Sequence, residues 1–299
     1  MTLTWDENFK SGFACFVGRP NVGKSTLTNA LVGQKVAITS SRPQTTRHAI
    51  RGIVHREDGQ LVLVDTPGLH KPRTLLGERL NDVVRTTWAE VDVVGFCVPA
   101  DQEVGPGDKY IVNELRKVAE RTPIVGVLTK TDLVKRDVVA ERLLALSQLA
   151  EFTEIVPVSA TRGDQVTLLA DLLLAQMPPG PPLYPEGELS DEPETTMIAE
   201  FVREAALEGV RDELPHSLAV VVEEMEAGRT LHIRAEIFVE RQSQKAIVIG
   251  RGGSRLKEVG TNARTQIEKM LGTKVHLELF VKVAKDWQRD PRQLRKLGF

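Results

Sequence analysis

The sequence predicts an α/β domain built on a mostly parallel sheet, followed by a smaller α+β domain. Three observations carry this prediction. From residue 12 to about residue 177, short apolar runs alternate with stretches of helical period, the order that produces strand–crossover–strand units. Residues 179–195 then form a Pro-rich and acidic segment without periodicity. Beyond it, residues 196–299 return to helices and alternating strands on a smaller scale. A chain of 299 residues is long enough for two domains, each with its own core.

In order, the strands expected in residues 1–178 lie at 12–17, 49–54, 61–64, 91–98, 124–128 and 155–158. Stretches such as 109–119 and 138–149 are long enough to be right-handed crossover helices, and ligands should gather at the C-terminal ends of the strands. Residues 177–185 read Met-Pro-Pro-Gly-Pro-Pro-Leu-Tyr-Pro, and residues 186–194 hold five acids and no base. Such a segment suits a linker. After it come a helix over 196–209, a run at 218–225, and a strand at 231–239 in which Ile233, Ala235, Ile237 and Val239 alternate. A strand at 245–249, a helix over 254–270 and a last strand alternating Val275, Leu277, Leu279 and Val281 complete the pattern.

Composition narrows the class. With 41% hydrophobic and 27% charged residues the chain is globular in type, and no run approaches the length of a membrane span. The apolar run at 12–17 is too short for a signal peptide, so a cytoplasmic location is expected. Cys15 and Cys97 lie inside apolar strand-like runs, as reduced core residues do, and the six histidines show no ligand spacing. The net charge of −2 is uneven. Residues 241–299 carry 14 Lys/Arg against 5 Asp/Glu, and the first 240 residues carry −11. That asymmetry points to an anionic partner for the C-terminal part, either nucleic acid or an acidic membrane surface.

The chemistry begins where the first strand ends. Gly18, Arg19, Pro20, Asn21, Val22, Gly23, Lys24 and Ser25, followed by Thr26, form a complete phosphate-binding loop. Its glycines let backbone N–H groups curl around phosphates, Lys24 can reach the β/γ oxygens, and the Ser25 hydroxyl can ligate Mg²⁺. The helix that follows adds its positive N-terminal end. Asp65, Thr66, Pro67, Gly68 and Leu69 end another strand about forty residues later. There Asp65 can hold Mg²⁺ through water and the Gly68 N–H can touch a γ-phosphate. In the loop at 41–47 a hydroxyl can reach Mg²⁺ when γ-phosphate is present; Thr46 is favoured, with Thr45 the adjacent alternative.

Thr129-Lys130-Thr131-Asp132 selects the base. Asp132 can accept both N1–H and N2–H₂ of guanine, a donor pair that adenine lacks, while the Lys130 stem packs on the ring. Ser159, Ala160 and Thr161 end the next strand and close the base pocket with backbone donors. In the second domain Ile249, Gly250, Arg251, Gly252 and Gly253 form a GXXG loop between an expected strand and a helix. This is the KH pattern, in which two glycines let the backbone approach about four nucleotides of a single strand. Lys245, Arg251, Arg255 and Lys257 flank it with positive charge for phosphate contacts. Ile247, Ile249 and Leu256 serve equally well as base supports or as core.

On GRPNVGKST (18–26), RPQTTR (42–47), DTPGLHKP (65–72), TKTD (129–132) and VIGRGG (248–253), the chain resembles the Era family of GTPases over nearly its whole length. The resemblance implies a Ras-like P-loop GTPase domain (1–178), a linker (179–195) and a type II KH domain with a basic tail (196–299). It also implies a monomer that binds GTP and GDP with Mg²⁺, hydrolyses GTP, and binds the 3′ end of small-subunit ribosomal RNA during maturation of the small ribosomal subunit. Two departures matter. Thr129 stands where the family pattern has Asn, and Leu69 stands where Ras-type enzymes carry a water-orienting glutamine. In related enzymes an Asn at the place of Asn21 binds K⁺ beside the phosphates, which makes Asn21, with Lys24 and Thr46, a candidate for assisting the reaction. His70 could position water or serve the surface. The tail at 282–299, with six basic residues, is a solvated capping helix or part of the RNA site. Two rival readings fit the same residues: an RNA-binding assembly module that does not turn over, and a signalling GTPase peripheral to the inner face of the cell membrane.

Overall fold

The structure, a computed structural model, describes residues 6–39, 45–69, 72, 74–208 and 217–299. The chain divides into two compact units. The first comprises residues 1–37, 46–71 and 80–191, and the second 38–45, 72–79 and 192–299.

The first unit runs β1 (Lys10–Val17), α1 (Lys24–Val32), β2 (Ile50–Arg56), β3 (Gly59–Asp65), α2 (Leu75–Glu90), β4 (Val93–Pro99), α3 (Pro106–Val118), β5 (Ile124–Thr129), α4 (Arg136–Ser147), β6 (Glu154–Pro157) and α5 (Val166–Ala175). Its sheet has the order β2-β3-β1-β4-β5-β6 and is parallel except for β2, which pairs antiparallel with β3 across a tight hairpin. The expected mostly parallel sheet is present. Strands buried on both faces explain the unbroken apolar runs. In β1, Ala14 and Phe16 join one core with Leu27 of α1 and Leu169 of α5, while Cys15 and Val17 join the other with Trp88 of α2 and Leu115 of α3. Burial pushes the Cys97 thiol up to about 12 and raises that of Cys15 further, so both are inert core groups. The chain passes from β3 on one side of β1 to β4 on the other, which makes the C-terminal end of β1 the switch point of the sheet.

The Pro-rich segment is irregular, as expected, but it is strapped to the first unit. Gly180 N–H donates to the Phe9 carbonyl (2.9 Å) and Ile53 N–H to the Leu189 carbonyl (2.9 Å). Buried Gln60 is the main anchor, accepting from the Leu183 and Tyr184 amides at 2.7 and 2.9 Å and donating back to the Tyr184 carbonyl at 2.8 Å.

The second unit runs α6 (Glu194–Leu207), β7 (Ala219–Glu226), β8 (Leu231–Val239), α7 (Gln242–Ile249), α8 (Ser254–Leu271), β9 (Val275–Val283) and α9 (Pro291–Lys296). β7 pairs antiparallel and β9 parallel with the central β8. One core gathers Ile198 and Phe201 of α6, Ile237 of β8, Val248 of α7 and Ile267 of α8. The strand expected at 245–249 is instead the last part of α7. Its apolar run is short, and only Val248 of that run is fully buried. Helix is favoured because Gln244 reaches back to accept from the Glu240 and Arg241 amides at 2.9 and 3.0 Å, satisfying donors at the helix start. The GXXG loop therefore joins two helices.

Candidate functional site

The loop after β1 is shaped by close approach. A Cβ on Gly18 would lie 2.4 Å from the Cys97 carbonyl oxygen, so no side chain fits there. Gly23 adopts φ 100° and Asn21 φ 62°, which turn the backbone so that α1 starts at Lys24. Lys24 Nζ donates back to the carbonyls of Gly18 (3.2 Å) and Arg19 (3.0 Å). The DTPG segment comes beside it: a Cβ on Gly68 would lie 3.7 Å from Lys24 Nζ and 3.7 Å from Pro20.

Three oxygens converge at the start of α1. Ser25 Oγ donates to Asp65 Oδ2 at 2.7 Å, Thr46 Oγ1 donates to the same oxygen at 3.2 Å, and the two hydroxyls are 3.1 Å apart. Of the two adjacent threonines, Thr46 is the one whose hydroxyl meets Ser25 and Asp65. Burial pushes the Asp65 carboxyl upward, against the hydrogen bond from Ser25 and the charge of Lys24. Burial likewise pulls the Lys24 ammonium down, against the charge of Asp65. Each ion is thus held at a desolvation cost that an added opposite charge would offset. Among the described residues no group of three His, Cys, Asp or Glu could hold a metal. A cation here would use two hydroxyls and one carboxylate, a hard-oxygen set of the kind Mg²⁺ takes. Asp65 Oδ1 is buried without a hydrogen-bond partner, so a bound cation or its water has an acceptor waiting.

The base side is a cavity of about 190 Å³ lined by Gly23, Thr26, Thr129, Lys130, Asp132, Ala160 and Thr161, with Leu27, Leu133 and Val158. Ser159 Oγ donates to Asp132 Oδ1 at 2.7 Å, and this bond is the main reason the Asp132 carboxyl lies below its ordinary value. Asp132 is therefore an ionised acceptor at neutral pH. Thr129 is buried, and its hydroxyl donates to the Val22 carbonyl at 2.6 Å, so this departure from the family's Asn ties the base motif to the phosphate loop. Leu69 is turned into the core with Val84 and Trp88. Arg42, Pro43 and Gln44 of the RPQTTR motif, and His70, lie outside the described residues.

In the second unit Gly250, Gly252 and Gly253 have φ of 72°, 58° and 80°, the left-handed region where glycine is favoured. A Cβ on Gly250 would also lie 2.7 Å from Cβ of Arg255. Beside the loop a groove of about 450 Å³ is lined by Gly253, Leu256, Lys257, Gly260, Thr261 and Arg264 of the loop and α8, and by Leu277 and Leu279 of β9. Arg251 and Lys257 are exposed and Lys245 is half-buried, whereas Ile249 packs against the core. The Arg255 guanidinium is used locally: it donates to the carbonyls of Ala206 (3.2 Å) and Glu208 (2.6 Å), closing the C-terminal end of α6. Arg264 was not singled out from the sequence, although it lies seven residues beyond Lys257, on the same helical face.

Residues 13–130 match a family described as "50S ribosome-binding GTPase", and residues 213–288 match "KH domain". The chain is 67% identical to the GTPase Era of Streptomyces coelicolor, covering 97% of this chain and 95% of that protein. It is 65% identical to the GTPase Era of Mycolicibacterium smegmatis, covering 97% and 99%. Among solved structures, an Era variant from Aquifex aeolicus bound to GDP·AlF₄⁻ superposes with a TM-score of 0.93 at 37% identity, covering 97% of this chain and 99% of that one. An Era complex with MgGDPNP and nucleotides 1506–1542 of 16S ribosomal RNA gives the same TM-score, identity and coverage.

Proposed function

This chain belongs to the Era family of GTPases, and from that premise we propose that it is a GTP-hydrolysing switch whose KH unit binds the single-stranded 3′ end of small-subunit ribosomal RNA during assembly of the small subunit. The observation that carries the nucleotide half is the convergence of Ser25, Thr46 and Asp65 oxygens within 3.2 Å of one another. The RNA half is supported by the helix–GXXG–helix loop beside a groove carrying Lys257 and Arg264. Multiple-turnover phosphate release and anisotropy with an RNA of the 3′-end sequence test the two halves separately. Retention of both in a Lys24→Ala, Gly250→Asp double variant would overturn the assignment.

In this reading the backbone N–H groups of the Gly18–Thr26 loop, Pro20 excepted, cradle the phosphates, and Lys24 leaves the Gly18 and Arg19 carbonyls to meet the β/γ oxygens. Ser25, Thr46 and Asp65 hold Mg²⁺, which when bound neutralises charge developing on the phosphate oxygens. Thr66 and Pro67 place the Gly68 amide at the γ-phosphate, so that loss of this group on hydrolysis releases the segments around Thr46 and Gly68. Asp132 pairs with guanine while Lys130 and the backbone of Ser159, Ala160 and Thr161 enclose the ring. Asp132→Asn should move preference from GTP toward xanthosine triphosphate, measured by competition for a fluorescent nucleotide; unchanged preference removes this role.

Leu69, buried in the core, offers no hydrogen bond to water. Asn21 is our candidate to hold K⁺ at the phosphates in the place of an arginine finger. Hydrolysis should then fall when Na⁺ replaces K⁺, and Asn21→Ala should abolish that difference. Equal rates in the two salts for the native protein contradict the K⁺ role. On the RNA side Lys245, Arg251 and Lys257 contact phosphates, Gly250, Gly252 and Gly253 allow the strand to approach, and Ile249 and Arg255 support the loop from within the fold. Among the described residues no helix is long and apolar enough to cross a membrane. Trp287, Leu294 and Leu297 of the basic tail are buried, which favours the RNA reading over a lipid one. We assign the protein to the cytoplasm as a monomer.

A further inference from the structure

Arg19 sits inside the phosphate loop, yet its side chain leaves the nucleotide site. Its Nε donates to Asp108 Oδ1 at 2.8 Å and its Nη1 to Gln102 Oε1 at 3.0 Å. Asp108 is fully buried, and its second oxygen accepts the Gly105 amide at 2.9 Å at the start of α3. The stem of Arg19 lies on Gly107, where a Cβ would come within 3.0 Å of Cδ. The main chain of the same arginine is what Lys24 holds, through the Arg19 carbonyl. The segment joining β4 to α3 also reaches the base side, since Ala100 N–H donates to the Thr129 carbonyl at 2.8 Å and Asp101 lies 3.7 Å from Lys130.

We propose that Arg19 and Asp108 form a latch that fixes the phosphate loop to the start of α3 and thereby sets how slowly nucleotide leaves; both are positioning residues. The proposal rests on the nucleotide-binding reading above. When phosphates arrive, Lys24 turns from the Gly18 and Arg19 carbonyls toward the ligand, and the loop loses that internal tie. The latch keeps the loop amides aimed while this happens. Its carboxylate is fully buried while the Arg19 side chain keeps about a quarter of its surface exposed, so the pair is screened less than a fully exposed ion pair. The Asp108–Gly105 bond caps α3 without Arg19, so removing the arginine side chain opens the latch while leaving that cap in place.

The test is the dissociation rate of a fluorescent GDP from the full chain, by chase with unlabelled GDP, alongside the melting temperature of the nucleotide-free protein. Arg19→Ala should release GDP about tenfold faster, equivalent to about 1.4 kcal/mol, and should lower the nucleotide-free melting temperature by stranding the buried Asp108 carboxylate, a loss that Arg19→Ala combined with Asp108→Asn should recover. Arg19→Lys should release GDP at a rate between native and Arg19→Ala, and Arg19→Ala combined with Asp108→Asn should be no faster than the faster single variant. A release rate within twofold of native for Arg19→Ala, or strictly multiplicative effects in the double variant, overturns the latch while leaving the nucleotide reading standing. Failure of the native protein to bind the fluorescent GDP overturns both.

Discussion

Lys24→Ala should lower multiple-turnover phosphate release by about 10²–10³-fold, the scale on which loss of one preorganised charge-stabilising donor acts. The physical reason is local. Lys24 is half-buried, desolvation pulls its ammonium down, and Asp65 supplies the countercharge. A phosphate group arriving beside it meets a poorly solvated cation that exchanges the Gly18 and Arg19 carbonyls for phosphate oxygens. Alanine removes the charge and leaves the site with the Asp65 carboxylate alone, which repels phosphate. Phosphate release at saturating GTP checks this, and turnover within a few-fold of native would favour the reading in which the nucleotide is structural. The thiols contribute nothing to this chemistry, since burial keeps Cys15 and Cys97 protonated.

The second large effect concerns stability of the KH unit. Arg203 of α6 is buried and binds Glu200 through two bonds, Nε to Oε1 at 2.8 Å and Nη2 to Oε2 at 2.6 Å, and it also donates to the Thr45 carbonyl. Glu204, one residue on, accepts from the Thr39 amide at 2.8 Å and from Gln266 at 3.0 Å. Three charged side chains thus lie buried within one unit. Arg203→Met removes the cation and both of the bonds it gives the buried Glu200 carboxylate, at a cost of about 3–5 kcal/mol. Glu200→Leu in the same chain should recover much of that loss, because a pair replaced by apolar groups no longer leaves one ion exposed to the core. Urea unfolding followed by Trp287, with Trp5 and Trp88 changed to Phe, reads the unit directly. A loss below about 1 kcal/mol for Arg203→Met would show that the triad carries little of the unit's stability.

Much of the site was legible because its chemistry is local. A phosphate loop needs two glycines, a lysine and a hydroxyl within eight positions, and both GTPase motifs and the GXXG loop sit at the ends of predicted elements. The adjacent Thr45 and Thr46 were separable only in space, since each offers a hydroxyl and the distances to Ser25 and Asp65 decide between them. Residues 245–249 misled for a different reason. An apolar run of Ala, Ile, Val and Ile has no period that tells a buried strand from a short helix; the informative residue was Gln244, three positions after Arg241, at the place of a capping-box partner. Arg255 read as an RNA contact by charge, but its bonds to the end of α6 depend on residues nearly fifty positions earlier. The Arg19–Asp108 pair spans 89 positions and had no sequence signature at all. Likewise nothing in the composition of the Pro-rich segment pointed to Gln60 as its anchor.

The claim that one chain couples GTP chemistry to RNA binding is tested most directly by thermodynamic linkage. The dissociation constant of a non-hydrolysable GTP analogue should be measured with and without saturating RNA of the small-subunit 3′-end sequence, and that of the RNA with GTP analogue and with GDP. If the two sites are coupled, RNA should change the affinity for the GTP analogue relative to GDP by the same factor by which nucleotide changes RNA affinity, within a range of about 5–150-fold. Equal nucleotide dissociation constants with and without RNA would contradict the coupling and leave two independent binding units on one chain.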